Sequence, residues 1–331
     1  MAAVKGRISI IFVVLSLAVA MLFAADLAVG SVRVPLGEVW DALAGGEGAT
    51  AKMIRNIRLV KALTALLAGA ALAVSGLQMQ TVFRNPLAGP YILGISSGAS
   101  LGVALFILGG ATALPFLSDM GIAGAAWVGS AAILAVIAVV SRRIKDIMVI
   151  LILGMMFSSG VSAVVQILQY LSREEALKTF VVWTMGSLGD VTWQQLWMLA
   201  AAVAAGMLLA VVSIKSLNLL LLGEQYARTM GLDVGRSRLL VFLSTTLLAG
   251  TVTAFCGPVG FIGLAMPHVA RMLCRNADHR VLLPASALMG SAVLLLCDIV
   301  SKMLALPLNS ITAIIGIPIV VWVVVRNKSI T

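Results

Sequence analysis

The sequence VKALTALLAGAALAVSGLQMQTV, residues 60–82, is an apolar run with a single charged side chain, Lys61. A helix needs roughly 20 residues to cross the hydrocarbon core of a bilayer, so this run is long enough to span a membrane. Its many Gly, Ala and Ser residues lack side-chain bulk and let helix backbones approach closely. The stretch therefore predicts a membrane helix packed inside a bundle of other helices.

Similar apolar runs recur along the whole chain, separated by charged residues or by clusters of Gly and Pro. The 331 residues are 61% hydrophobic and 11% charged, with a mean hydropathy of +1.10, so most of the chain cannot face water. The predicted fold class is an all-α polytopic membrane protein. The ten predicted spans are residues 8–29, 60–82, 91–110, 121–141, 147–170, 193–213, 238–256, 259–274, 281–303 and 310–325.

The loops on the two sides of the membrane differ in charge. With the N-terminus in the cytoplasm, most of the 23 Lys and Arg residues fall in cytoplasmic segments, as the positive-inside rule expects. We therefore predict a multi-pass protein with both termini in the cytoplasm. The formal net charge of +10 would then face anionic membrane lipids, and we expect no nucleic-acid partner.

The sequence also contains an internal repeat. LLAGAALAVSG, residues 66–76, and LLAGTVTAFCG, residues 247–257, agree at six of eleven positions, and the same offset of 181 residues aligns Pro86 with Pro267. Five predicted spans separate the copies, so the copies cross the membrane in opposite senses, as in many transporters. The predicted inverted repeats, within one transmembrane domain of residues 1–331, are about 60–170 and about 238–325.

One predicted span, residues 147–170, carries a polar stripe, because polar side chains recur every four residues from Ser158 to Gln166. Such a stripe is unfavourable toward lipid and must face either a partner helix or water. We favour a water-filled translocation pathway; burial against a helix is the alternative. The predicted pathway residues are Met155, Ser158, Ser159, Ser162 and Gln166. The small residues of YILGISSGASLG, residues 91–102, favour close helix packing, with pore lining as the alternative.

No motif for enzyme chemistry is found in the sequence. It has no G-x-x-x-x-G-K-[ST] loop that could hold the phosphates of ATP. Near His268 there is no Glu, Cys or second His that would complete a metal site. We expect a chain that is not an enzyme, with no catalytic residue, no metal site and no cofactor of its own.

Several long motifs, in one order, resemble the FecCD-type permease subunits of bacterial ATP-driven importers for iron-siderophores, haem and vitamin B12. The resemblance covers nearly the whole chain. Its motifs are RLVKALTALLAGAALAVSGLQMQTVFRNPLAGPYILGISSGASLG at 58–102, LNLLLLGEQYARTMGL at 217–232, GPVGFIGLAMPHVARML at 257–273, DHRVLLPASALMGSAVLLLCDIVSK at 278–302 and ITAIIGIPIVVW at 311–322.

The resemblance implies a transport complex in the bacterial inner (plasma) membrane. A second permease subunit, expected to be an identical copy, would enclose a central pathway with this one. Two cytoplasmic ATPase subunits would bind ATP and Mg, and a periplasmic substrate-binding protein would deliver the cargo.

The resemblance also implies roles for individual residues. The loop at about 216–236 would couple to the ATPase, and an ordinary interfacial loop is the alternative. Its coupling residues would be Leu222, Gly223, Glu224, Arg228 and Gly231. The residues that dock the binding protein would be Arg58, Lys61 and Lys302. Lys302 has an alternative partner in Asp298, one helical turn earlier.

Two further groups lie near the cytoplasmic ends of the spans. Asn85, Pro86 and Leu87 in the turn RNPLAGP would form a cytoplasmic gate, or alternatively a rigid connection between helices. The structural residues would be Pro267, His268 and Arg271. We interpret His268 as a helix-breaking, hydrogen-bonding residue, with a role in relaying ATPase motion as the alternative.

The cargo class follows from the placement of the carboxylates. Carriers of bare metal ions need Asp, Glu, His or Cys in the path, and the Asp and Glu residues here lie nearly all in loops or at helix ends. We therefore favour a wrapped metal chelate, an iron-siderophore or haem, with vitamin B12 as the alternative. An ion-coupled secondary transporter and a membrane enzyme are the rival classes.

Overall fold

The computed structural model describes residues 2–30, 32, 34–109, 115–144 and 146–328. Within these ranges the chain consists of helices joined by short loops and contains no strand. The prediction of an all-α polytopic membrane protein is confirmed. No membrane is part of the structure, so the spans are recognised from the length and apolar character of the helices.

The first half of the chain holds seven helices. They are α1 (Ala2–Ala28), α2 (Leu36–Leu43), α3 (Ala49–Met53), α4 (Leu59–Val82), α5 (Ile95–Ile107), α6 (Pro115–Arg143) and α7 (Ile147–Leu171). One π-helical turn, Ile54–Arg58, joins α3 to α4, so that residues Ala49–Val82 form one continuous helix. Helix α6 is kinked at Gly121, whose φ of +62° lies in the left-handed region that favours glycine.

Two helices, α8 (Glu174–Thr184) and α9 (Trp193–Val212), connect the first half of the chain to the second. The remaining helices are α10 (Ile214–Leu221), α11 (Glu224–Thr229), α12 (Val234–Thr245), α13 (Thr251–Cys256), α14 (Ile262–Cys274), α15 (His279–Leu304) and α16 (Leu308–Lys328). A second π-helical segment, Thr246–Gly250, makes α12 and α13 one long helix.

Every one of the ten predicted spans coincides with a helix. Seven helices in the described ranges are long and apolar enough to cross a membrane, and Ile95–Ile107, Ile262–Cys274 and Leu308–Val323 are shorter. One detail of the prediction is wrong. Pro267 and His268 do not break a helix: α14 continues through Pro267, and the chain is non-helical earlier, at Gly257–Phe261.

The two halves pack against each other reciprocally. Helix α4 of the first half lies against α15 and α14 of the second, while the α12–α13 helix of the second half lies against α6 and α5 of the first. Each half contains one long helix, one helix of 13 residues and two more long helices. The 181-residue offset places α4 on the α12–α13 helix but does not align the later elements, because Pro86 lies in a turn and Pro267 lies inside α14.

Small residues at the helix crossings explain the close packing. A β-carbon on Gly69 would overlap the backbone of Gly290, and one on Gly290 would overlap the Gly69 carbonyl, so α4 and α15 meet backbone to backbone. Gly98 of α5 and Gly129 of α6 have the same reciprocal relationship. As a result α4 is buried along most of its length and forms the centre of the bundle.

Candidate functional site

The polar stripe of α7 lies at the surface of the chain. Met155, Ser159, Ser162 and Gln166 are exposed, and Ser158 is half-buried. The two serines at 158 and 159 donate their hydroxyls to the carbonyls four residues earlier, at 2.9 and 3.1 Å. These hydroxyls thus keep an internal partner, and their oxygens can still accept a hydrogen bond from water or cargo.

Part of the stripe opens into a polar cavity of about 270 Å³. Ser162 and Gln166 face it from α7, and serines of α5 face it from the other side. The cavity is lined by Ser96, Ser97, Ser100, Val161, Ser162, Val165, Gln166, Gln169, Phe180 and Thr184. Its polar groups are neutral hydroxyls and amides, so it can form hydrogen bonds without holding a charge.

The sequence predicts that the small residues of α5 serve mainly in helix packing. In the structure, the glycines and the serines of this helix lie on different faces and have different neighbours. Gly98 and Gly102 approach the backbone of α6, whereas Ser96, Ser97 and Ser100 line the cavity. The helical spacing of these serines was the signal that could have identified them.

The turn predicted as a gate is tied to α14. The Asn85 side chain accepts a hydrogen bond from the Leu87 backbone N–H at 2.9 Å, which stabilises the turn. The Pro86 carbonyl accepts a hydrogen bond from Nε2 of His268 at 2.7 Å. Leu87 is exposed. The turn therefore presents an apolar side chain while its backbone is held by a buried histidine.

Gln80 extends this contact into a small network between α4 and α14. Its amide nitrogen donates to the Leu264 carbonyl at 2.9 Å, and its oxygen accepts from the Arg271 guanidinium at 3.0 Å. Arg271 and His268 thus both act in fixing α14 against the C-terminal end of α4. This arrangement is compatible with the structural role predicted for His268, and nothing in it supplies a nucleophile or a metal ligand set.

The segment predicted to couple to the ATPase forms two short helices, α10 and α11, joined at Gly223, whose φ is +106°. Gly231, two residues after the end of α11, also has a positive φ, +84°. Glu224 forms an ion pair with the buried Arg238 of α12 and lies 4.0 Å from Arg228. Leu222 is exposed, as are two apolar side chains that sequence reasoning did not single out, Tyr226 and Met230.

A second network, which the sequence did not reveal, connects α10 to α15 and α4. Asn218 accepts from the backbone N–H and Nδ1 of His279 at 2.9 and 2.7 Å, and the Thr81 hydroxyl lies 2.8 Å from the His279 Nε2. The Asn218 amide donates to Asp278 at 2.7 Å. Hydrogen bonds from the Arg280 backbone N–H and from Asn218 hold the pKa of the Asp278 carboxyl below its usual value.

The three predicted docking cations all have partners inside the chain. Arg58 is buried, and its guanidinium donates to the carbonyls of Leu27 and Ala28 at 2.8 and 3.0 Å. Lys61 pairs with Asp298 at 3.0 Å. Lys302 pairs with Asp298 at 2.7 Å, as the spacing suggested, and also with Asp26 of α1 at 2.8 Å.

Metal-ligating residues do not cluster in the part of the chain that the structure describes: no group of three His, Cys, Asp or Glu could hold an ion there. The cysteines at 256, 274 and 297 are buried free thiols. The candidate site consists of a neutral polar face and cavity on α7, a turn at Asn85–Leu87 that is fixed to α14, and exposed apolar side chains at α10–α11.

Comparisons with known proteins agree with this architecture. The FecCD transport family matches residues 16–326. The hemin transport system permease protein HmuU of Yersinia pestis is 38% identical over 82% of this chain and 83% of its own length. The vitamin B12 import system permease protein BtuC of Klebsiella pneumoniae subsp. pneumoniae is 38% identical over 88% of each chain.

A solved structure is also similar over almost its full length. It is an inward-facing conformation of a metal-chelate type ABC transporter, with a TM-score of 0.84 and 33% sequence identity, and it covers 96% of this chain and 99% of its own.

Proposed function

Because the chain belongs to the FecCD transport family, we propose that it is the membrane permease subunit of an ATP-driven importer that carries an iron-siderophore or haem from the periplasm to the cytoplasm. The observation that carries the proposal is the family match over residues 16–326. The fold, shared with a metal-chelate type ABC transporter at a TM-score of 0.84, supports it.

The chemistry of the polar cavity supports a chelate as cargo. Hydroxyls and amides from α5, α7 and α8 line it, and such groups bind a bare divalent ion weakly compared with carboxylates, imidazoles or thiolates. The buried carboxylates of Asp26 and Asp298 are paired with Lys61 and Lys302 near the N-terminal end of α4. The network of Gln80 with α14 lies at the other end of that helix. A chelate brings its own metal ligands and needs only a weakly binding, wetted path.

Vitamin B12 is the second candidate cargo. The identity of 38% to BtuC extends over 88% of both chains, as high as the identity to the hemin permease HmuU. Cobalamin is itself a wrapped metal complex, so the neutral cavity suits it by the same argument.

We infer that α7 faces a second permease subunit of the same sequence across the pathway. Only 17% of its most apolar window is buried within the chain, and Met156, Ile167 and Tyr170 are exposed beside the polar stripe. Exposed polar side chains at this depth favour a protein or water neighbour over lipid. The pathway residues Met155, Ser158, Ser159, Ser162 and Gln166 would then line the space between the two copies.

We propose that the other partners bind at the two ends of the bundle. Two ATPase subunits, with ATP and Mg bound to them, would contact the exposed side chains of α10–α11 on the cytoplasmic side. A periplasmic binding protein would dock near Arg58, Lys61 and Lys302, and both termini would lie in the cytoplasm of a bacterium, with the bundle in its inner membrane. Asn85, Pro86 and Leu87 would narrow the pathway near its cytoplasmic end.

Reconstitution tests this function. The permease is placed in liposomes with and without its ATPase and binding protein, and uptake of a ferric siderophore, hemin and cobalamin is measured. We expect ATP-dependent uptake of a chelate only with the partners present. Robust uptake by the permease alone without ATP would contradict the proposal, and uptake of cobalamin alone would select the second cargo.

A further inference from the structure

A basic cavity of about 520 Å³ lies outside the proposed pathway, between the C-terminal end of α6, helix α11 and the first turn of α12. It contains three arginines and an apolar wall on one side. Its lining residues are Ala138, Ser141, Arg228, Leu232, Asp233, Val234, Gly235, Arg236, Arg238 and Leu239. This is the side of the bundle that carries most of the basic loops, where the headgroups of one lipid leaflet would lie.

Two of the arginines are available to an anion. Arg238 is buried and forms an ion pair with Glu224. Arg228 lies 4.0 Å from the same carboxylate, which is the limit for an ion pair, so its guanidinium is only weakly engaged. Arg236 pairs with Asp233 at 3.1 Å, but its side chain is 90% exposed, and such surface pairs are weak. A guanidinium presents several N–H donors in a fork that fits a phosphate group.

An apolar groove lies one helical turn from this cavity, on the same two helices. The groove has a volume of about 370 Å³ and runs between α6 and the α12–α13 helix. It is lined by Trp127, Val128, Ser130, Ala131, Leu134, Leu243, Thr246, Leu247, Gly250 and Thr251. Leu239 lines the cavity and Leu243, one turn later, lines the groove, so the two spaces share one wall.

The cavity and the groove together extend over about the depth of one leaflet. From Ala138 in the cavity to Trp127 at the far end, α6 advances about 16 Å at 1.5 Å per residue. Half of a hydrocarbon core of roughly 30 Å is about 15 Å. Trp127, Val128 and Leu243 are exposed, so the groove is open to the bilayer.

We propose that the basic cavity and the apolar groove together bind one anionic phospholipid, with its phosphate at Arg228 and Arg236 and an acyl chain between α6 and the α12–α13 helix. The positive charge of the arginines favours an anionic headgroup. The adjoining apolar groove favours a molecule that carries a long apolar chain. This site goes beyond the proposed transport function and does not depend on the cargo, although it shares Arg228 with the residues predicted to couple to the ATPase.

Native mass spectrometry of the purified chain tests the site, with phosphatidylglycerol and phosphatidylcholine of identical acyl chains as probes. We expect preferential retention of phosphatidylglycerol. Arg236→Gln should weaken it about fivefold, because one basic residue near a charged lipid surface contributes about that factor, and adding Arg228→Gln should weaken it further. Arg275→Gln, an exposed arginine outside the cavity, is the matched control and should have no effect.

The groove is tested separately. Ala131→Trp should fill it and lower retention severalfold, whereas Val139→Trp, at an exposed α6 position outside the groove, should not. In the unmodified chain, phosphatidylglycerol with a photoreactive group in its acyl chain should label peptides of α6 and α12–α13.

Any of these results would overturn the proposal: equal retention of both lipids, retention unchanged by the arginine variants, labelling spread evenly over all lipid-facing helices, or full displacement of the lipid by millimolar inorganic phosphate. The last result would assign the arginines to a free phosphate. Displacement by the bound ATPase would assign them to the subunit interface and would also overturn it.

Discussion

The carbonyl oxygen of Gly263 in α14 lies against Gly76 in α4, at a point where any β-carbon on residue 76 would overlap it. Pro267, four residues after Gly263, has no N–H, so this carbonyl has no helical hydrogen-bond partner. The proline thus frees a carbonyl without ending the helix, and the absence of a side chain at Gly76 accommodates it. This contact brings close together the two helices that are joined by the hydrogen bonds of Gln80.

We predict that Gly76→Ala destabilises the protein by about 1–3 kcal/mol, the usual cost of adding a methyl group to a fully packed site. Gly160→Ala is the matched control, because Gly160 lies in helix α7 with no atom near its would-be β-carbon. There the change should be neutral or stabilising by up to about 1 kcal/mol, since alanine favours a helix more than glycine does. Thermal unfolding in detergent distinguishes the two, and equal melting temperatures would contradict the packing argument.

Asp298 holds two lysines, and we predict that Asp298→Asn is strongly destabilising. The change removes the carboxylate that lies 3.0 Å from Lys61 and 2.7 Å from Lys302, so that Lys302 keeps only Asp26 as a partner. Breaking a buried pair costs about 3–5 kcal/mol. Asp233→Asn is the control: its pair with Arg236 is exposed, asparagine also caps a helix, and the expected loss is below about 1 kcal/mol. Similar melting temperatures for the two variants would show that the cluster is not a stabilising one.

The ion-pair cluster of Lys61, Lys302, Asp26 and Asp298 shows what the sequence could and could not predict. The pair between Lys302 and Asp298 follows from their spacing on one helix, so it was available from the sequence. The contact of Lys302 with Asp26 joins α15 to α1, 276 positions apart in sequence, and no local pattern indicates it. The spans and the polar stripe are also local patterns, and they were predicted. The networks of Gln80 and Asn218 depend on how distant helices cross, and they were not.

The exposed side of α11 should carry the contact with the ATPase. Charge reversal at Glu224 is a poor test, because Glu224 also holds Arg238 of α12 within the chain. We predict instead that Tyr226→Ala together with Met230→Ala reduces co-purification of the ATPase at least tenfold, since exposed aromatic anchors often dominate interfaces. Trp197→Ala, an exposed aromatic at the start of α9, should leave the complex intact. A complex unaffected by the double variant would refute the coupling assignment.

His268 should prove structural. Replacing it with alanine leaves the Pro86 carbonyl without its donor, which should cost roughly 1–3 kcal/mol of stability. Uptake per folded complex should stay within about twofold of the unmodified protein, and ATP hydrolysis should be unchanged. If hydrolysis continues while uptake is lost, His268 relays motion from the ATPase, and the structural interpretation is wrong.

Thiol labelling tests whether the polar stripe of α7 is wet. Single cysteines at Ser158, Ser162 and Gln166, in a chain without its three native cysteines, should react with small water-soluble thiol reagents, because the thiolate forms only where water reaches the sulfur. Val161 lines the same cavity as Ser162 and cannot serve as a dry control.

Better controls for this labelling are Ile150, which is fully buried, and Val164, which is exposed on another side of α7 and should face lipid. Cysteines at both positions should react slowly. The rates at the stripe should also change when the ATPase binds nucleotide, since an alternating pathway is open to one side at a time. Uniformly slow labelling at Ser158, Ser162 and Gln166 in every state would mean that the second subunit covers the stripe, and the pathway would then lie elsewhere.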